Sequence, residues 1–212
     1  LTYEEMLEMS STGAKVLQTR SVELAMKNNL SLQVLSSLIS KEGSYIVNEE
    51  HIVEKEIVSG VSYSKSESKI TISGILDKPG ISAKIFGLMA SNNINVDMIV
   101  QNISQDGITA NMTFTVQNND LNKAKEIIED KFADLNYTNL STNSDIAKIS
   151  VVGMGMMSQS GVAEKMFTVL AENMINILAI STSEIKISVL IEKKYADQAI
   201  KSLHAVYKLG KK

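Results

Sequence analysis

One stretch of this chain occurs twice, and the duplication limits the architecture more than any other feature. Gly80, Lys84, Phe86, Ala90, Asn92, Ile94 and Asn95 recur 81 residues later as Gly161, Lys165, Phe167, Ala171, Asn173, Ile175 and Asn176. That makes 7 identities in 17 positions, and half of the other pairs exchange one apolar residue for another. The preceding strand-like run recurs too, Lys69–Gly74 against Lys148–Gly153, with two extra residues in the second loop. Repeats of this kind fix the unit of folding before any local signal is weighed. In the first copy Ile81, Ile85, Leu88 and Met89 have the spacing of a buried helical stripe, and Asn92-Asn93 stops the helix. The first copy is expected as strand (69–74), helix (80–92), strand (94–103), strand (108–116), helix (119–132) and a short strand near 137–141. The second is expected as strand (148–153), helix (161–173), strand (175–181), strand (184–191) and helix (194–208). It lacks a final strand, which an orphan strand at 57–63 can supply. The fold class is therefore α+β, two ferredoxin-like βαββαβ units, the second completed by a strand from before the first.

Composition narrows the function. The net charge of −3 argues against a phosphate-backbone binder, and the central strands lack the surface aromatics of an RNA-binding unit, so no nucleic-acid partner is expected. There is no cysteine, and His51 and His204 stand far apart, so no metal site is expected. No apolar run approaches the roughly 20 residues of a membrane span, and no basic-then-apolar leader opens the chain. The chain starts with Leu. The expectation is a cytoplasmic fragment that begins inside a longer protein, with no membrane partner.

Ahead of the repeats, Thr2-Tyr-Glu-Glu5 is a capping-box pattern that should start a short helix. Gly13-Ala-Lys-Val-Leu17 breaks it, Arg20 to Asn28 is a second helix, and Leu32 to Leu35 is a short strand. These elements look too few to close a core alone. The expected division is a tail at 1–40, a polar, turn-rich linker at 41–56, the donated strand at 57–66, and the two units at 67–144 and 145–209.

The paired units resemble tandem ACT domains, the amino-acid-sensing modules of metabolism. Asp77-Lys-Pro-Gly80, Asn93-Ile-Asn-Val-Asp-Met-Ile-Val-Gln-Asn102 and Ile180-Ser-Thr-Ser-Glu-Ile185 are similar to the regulatory half of the aspartokinase family. Gly13-Ala-Lys-Val-Leu17, Arg20-Ser-Val-Glu23 and Ser36-Ser37 resemble the end of its kinase domain. The resemblance implies that the intact protein transfers phosphate from ATP, with Mg2+, to the side-chain carboxylate of aspartate, opening the lysine, threonine and methionine pathway. The Lys-Phe-Gly-Gly phosphate motif of the family is absent, so this chain alone carries no catalytic residue and should hold no cofactor. The implied partners are lysine and/or threonine as allosteric ligand, a second copy through the ACT units, and the rest of the kinase domain. A naturally separate regulatory subunit is the alternative.

A free amino acid presents an ammonium and a carboxylate, so a sensor needs acceptors and donors around a recess. In the loop leading to the first helix, Asp77 can accept from the ammonium, and the amides of Ile81 and Ser82 can receive the carboxylate, aided by the helix dipole. Pro79 stiffens this loop and Gly80 lets the backbone approach closely. By sequence alone Asp77 reads first as an ordinary turn or cap residue, and it is the resemblance that implies the ligand role. Asn95, Asp97 and Gln101 have same-face parity on one strand and can face a common neighbour, either an effector or a partner edge. By resemblance, Asn176 and Ile177 close the site from a facing unit. Ser104 and the stretch Thr182, Ser183, Glu184 couple it to the kinase, and Lys15 reaches ATP; by spacing alone, 181–184 is a polar hairpin connection. The second repeat has Met154-Gly-Met-Met-Ser-Gln-Ser160 where the first has its acidic loop, so it is not expected to bind an effector in the same way; its methionines suit an interface.

Overall fold

The computed structural model describes residues 1–52, 57–131 and 137–210. The chain opens with α1 (Tyr3–Ser11), started by the expected capping box. The Thr2 hydroxyl accepts from the Glu5 amide at 3.1 Å, and the Glu5 carboxylate accepts from the Thr2 amide at 3.0 Å. Then come α2 (Thr19–Lys27) and β1 (Leu32–Val34), which pairs antiparallel with β2 (Ser44–Ile46). β2 lies in the stretch expected to be linker, and a single apolar residue accounts for it. Ile46, 1% exposed, packs with Tyr3, Met6, Val22 and Ala25, so the opening segment does assemble a small core. Residues 53–56 of that stretch lie outside the described residues.

The first repeat comprises β4 (Glu67–Leu76), α3 (Ile81–Ser91), β5 (Val96–Ile103), β6 (Thr109–Gln117), α4 (Leu121–Lys131) and β7 (Asn139–Asn143), preceded by β3 (Gly60–Ser64). The second comprises β8 (Ile146–Val152), α5 (Val162–Glu172), β9 (Ala179–Thr182), β10 (Lys186–Glu192) and α6 (Ala196–Val206). Strand orders are β5-β6-β4-β7 and β3-β8-β10-β9. With β3 counted as its fourth strand, the second sheet repeats the order of the first, and β3 pairs with β8 from Gly60 opposite Val152 to Ser64 opposite Lys148. The donated strand is thus where the duplication required it, though it starts at Gly60 rather than 57. The helices of the two repeats start one or two residues later than expected, and α3, α5 and α6 end one or two residues earlier, while α2 keeps its expected length shifted by one; residues 118–120, for instance, form a 3-10 turn ahead of α4. Residue 132, expected in α4, lies outside the described residues.

Each sheet turns one face to its helices. Ile70, Ile72, Met112 and Phe114 meet Ile85, Met89, Ala124 and Ile128, and Phe86 packs edge-on to Phe114 at 5.5 Å. Ile149, Val151, Val189 and Ile191 meet Met166, Leu170, Ala199 and Leu203. The Tyr207 hydroxyl ties α6 to the start of α5 by donating to the Val162 carbonyl at 2.8 Å; burial, with the Glu164 charge, pushes this phenol up to about 12. The second sheet is covered on its other face as well. Met98 of β5 joins Ile146 and Leu190 beside Leu178 and Ala179, and α1 lies against β3 and β8, where the Thr12 and Ser62 hydroxyls bond. Double coverage explains why every residue of β8 is buried. Among the described residues no helix is long and apolar enough to cross a membrane.

Candidate functional site

The loop between β4 and α3 gathers several of the expected ligand groups. Gly80 heads α3 at φ +93°, with no side chain capping the helix, so its first turn stays open to a ligand. The Asp77 amide anchors the loop by donating to the Ile108 carbonyl at 2.8 Å, and Ile81 turns its amide back to the Lys78 carbonyl at 3.3 Å. Gln101, on edge strand β5, donates from Nε2 to Asp77 Oδ1 at 3.5 Å, and Ser82 Oγ donates to Gln101 Oε1 at 3.1 Å. Asp77, Ser82 and Gln101 thus converge from a loop, a helix and a strand. Asp77 and Gln101 are exposed, and the first of their hydrogen bonds is long enough to yield to a ligand. This corner offers one anionic acceptor, one amide, one hydroxyl and a helix N-terminus.

Asp97 does not belong to it. The even spacing of Asn95, Asp97 and Gln101 predicts a common face, but β5 carries a bulge between Asp97 and Val100. Three residues of β5 there span two of β6, so parity inverts. Asp97 lies opposite Thr115 on the face away from the helices, whereas Gln101 lies opposite Met112 on the helix face. Asn95 precedes β5 and stands at the C-terminal end of α3, where with Phe86, Ala90, Val96 and Ile99 it lines a groove of about 510 Å³. An 11-residue helix is roughly 16 Å long, so Asn95 and Asp77 are held apart by the length of α3. Asn176 and Ile177 occupy the equivalent end of α5, with Asn176 exposed and Ile177 packed on the second core.

Ser104 sits in the β5–β6 hairpin, donating its amide to the Thr109 carbonyl at 2.8 Å and accepting at Oγ from Asn111 Nδ2 at 3.5 Å. Thr182, Ser183 and Glu184 are exposed in the β9–β10 connection, closed by the Ser183 amide on the Lys186 carbonyl at 2.8 Å. Lys15 is exposed in the turn between α1 and α2. The loop of the second repeat, which has no acid of its own, receives one from α1. Glu5 Oε1 accepts from the Met154 amide at 2.8 Å and from Ser59 Oγ at 2.6 Å.

The partner that Asp97 does have was not foreseen. Its Oδ2 accepts from the ammonium of Lys148, a β8 side chain 2% exposed, while Glu67 Oε1 lies 2.6 Å from the same ammonium. Burial opposes the Asp97 charge, but the Lys148 hydrogen bond and charge, the Met98 amide and the charge of Lys186 outweigh it and hold the carboxyl below its ordinary value. Burial likewise opposes the Lys148 charge, and Glu67 and Asp97 together overcome it and raise the ammonium. The one sequence signal was a lone lysine in the otherwise apolar or hydroxyl-bearing run Ile146–Val152.

A family model described as "ACT domain" matches residues 70–132 and 149–207, one match for each repeat. An aspartate kinase of Pseudomonas putida is 46% identical over 210 residues, which is 99% of this chain and 51% of that protein. The chain therefore spans about half the length of the curated relatives it matches. Among solved structures, one chain of the aspartokinase alpha and beta subunits shares 41% identity at a TM-score of 0.67, over 72% of this chain and 99% of its own. The regulatory subunit of aspartate kinase from Thermus thermophilus shares 37% identity at a TM-score of 0.66, over 71% of this chain and 98% of its own. With both repeats matched and the regulatory subunit covered almost end to end, the chain belongs to the aspartokinase family, as its regulatory region of two ACT domains.

Proposed function

We propose that this chain is the part of an aspartokinase through which lysine and/or threonine inhibit the enzyme. The whole protein then converts ATP, with Mg2+, and L-aspartate to 4-phospho-L-aspartate in the cytoplasm, and its own pathway products report back at the first ACT unit. The observation that carries the reading is the convergence of Asp77, Ser82 and Gln101 at the open N-terminus of α3. The acid takes the ammonium, and the helix end takes the carboxylate through the amides near Gly80, Ile81 and Ser82. Asn95, Asn176 and Ile177, which lie at the far ends of their helices in one chain, are supplied to this corner by a second copy. That makes the functional unit a homodimer of ACT units, with β5, an edge strand that exposes Ile99 and Ile103, as the pairing surface. Ser104 and the Thr182–Glu184 hairpin transmit occupancy, and Lys15 extends toward ATP held by the remainder of the kinase domain.

Calorimetric titration with lysine and threonine, separately and together, tests this reading. Saturable binding to the wild type and its loss in a folded Asp77→Ala variant are expected. Binding that survives the substitution would remove Asp77 from the site, and no binding of either amino acid to the dimer would remove the function. A separately made regulatory subunit is the second reading, favoured by the 98% coverage of the Thermus thermophilus subunit. Against it, more than a quarter of this chain lies beyond that match. The N-terminal residue and mass of the native protein decide between the two.

A further inference from the structure

We propose that Lys148 is the joint through which occupation of the first ACT unit is felt by the second unit and by the α1 segment; this rests on the effector reading above. Strand β5 belongs to both the candidate site and the interface between the units. Gln101 projects on its helix face toward Asp77, and Asp97, turned over by the bulge, projects to the opposite face toward Lys148. At the bulge Met98 is held at φ +45°, a conformation uncommon for a residue with a side chain, and Asp97 Oδ1 accepts the Met98 amide at 2.8 Å. One carboxylate therefore pins the bulge with one oxygen and takes the Lys148 ammonium with the other. Anything that draws on Gln101 pulls on the strand that positions Asp97.

Lys148 receives two acids of different standing. Glu67 is 5% exposed and further held by the Thr115 hydroxyl on its Oε2 at 2.9 Å, whereas the Asp97 side chain is 58% exposed. Glu67 is thus the permanent hold and Asp97 the releasable one, giving two discrete arrangements of the same buried cation. Beyond it the charged strip continues. Lys186, whose charge acts on Asp97, forms an ion pair with Glu8 of α1 at 2.8 Å, and Glu5 of α1 holds the Met154 amide just past the end of β8. A buried cation shared by two acids contributes little net stability over apolar packing, but it commits the two units to one relative placement until one acid lets go.

The test uses the full-length enzyme with Lys148→Met and Lys148→Arg. In Lys148→Met, effector affinity by calorimetry is expected to stay unchanged, while the inhibition reached at saturating effector shrinks by about 5- to 150-fold, the span of ordinary coupling energies. Lys148→Arg should restore most of the inhibition. Unchanged inhibition in folded Lys148→Met would overturn the proposal, as would affinity and inhibition weakening in step. Should the wild type bind neither lysine nor threonine, the effector reading falls. The joint is then judged by amide hydrogen exchange without ligand, where faster exchange in α1 of Lys148→Met supports it and changes confined to β8 and its neighbours overturn it. If Lys148→Met does not fold, Asp97→Asn, which leaves the Glu67–Lys148 pair in place, takes the same measurements.

Discussion

Replacing Lys148 by Met gives the sharpest test of how the two units are held together. The substitution nearly conserves volume, so little cavity or overpacking cost is expected. What it removes is the cation paired with Glu67, which is 5% exposed and would keep, among the described residues, the Thr115 hydroxyl. Stripping one partner from a buried pair costs about 3–5 kcal/mol, because the remaining charge is left without compensation. Asp97 offers an internal control. Its side chain is 58% exposed, so solvent already screens the contact, and Asp97→Asn should cost about 0–1 kcal/mol. Combining Lys148→Met with Glu67→Gln removes both buried charges while keeping an acceptor for Thr115, and should recover most of the loss. Such a recovery appears as a coupling energy in a double-mutant cycle. The assay is urea unfolding followed by far-ultraviolet circular dichroism and by tyrosine fluorescence, since the chain has 6 tyrosines and no tryptophan. Coincident transitions are required, because separate cores can melt separately. A loss for Lys148→Met no larger than the roughly 0.5 kcal/mol of an ordinary surface substitution would refute the argument. So would strict additivity with Glu67→Gln.

Two further outcomes follow from the geometry. Gly13→Ala should destabilise far more than Gly80→Ala, as melting temperatures will show. Both glycines have positive φ, which costs a side chain about 1–2 kcal/mol, but a Cβ at Gly13 would stand 2.0 Å from the Tyr63 carbonyl oxygen, whereas one at Gly80 meets nothing within 4 Å. The joint should also have a defined pH window. Asp97 is depressed in the fold, so its contribution is present above the ordinary aspartate value and disappears as pH falls through the lower folded value. Lys148 is raised, so its contribution is full below the ordinary lysine value and disappears as pH rises through the higher folded value. The stability gap between wild type and Asp97→Asn should therefore hold from about pH 5 to 9 and close as pH falls below about 4. A gap unchanged through the acid range would mean that Asp97 does not hold Lys148.

Much of this architecture was legible in the residues alone. The duplication, the stripe Ile81, Ile85, Leu88, Met89 and the missing last strand of the second repeat led to two ferredoxin-like units and to β3 as the donated strand. The Asp77 loop and Gln101 were also legible, because a turn, a helix start and a nearby edge strand are local features. Tertiary structure decided the rest. The bulge that separates Asp97 from Gln101 is a mismatch between two strands, and it leaves no mark in the period of one of them. β2 exists because Ile46 found a pocket made by α1 and α2, which a polar local sequence conceals. Lys148 stood in plain view inside an apolar strand, but its acids lie 51 and 81 residues away in sequence, on strands of the other unit. Periodicity encodes which face of an element is apolar. It does not encode which element covers the opposite face, and the charges that join the two ACT units lie on that face.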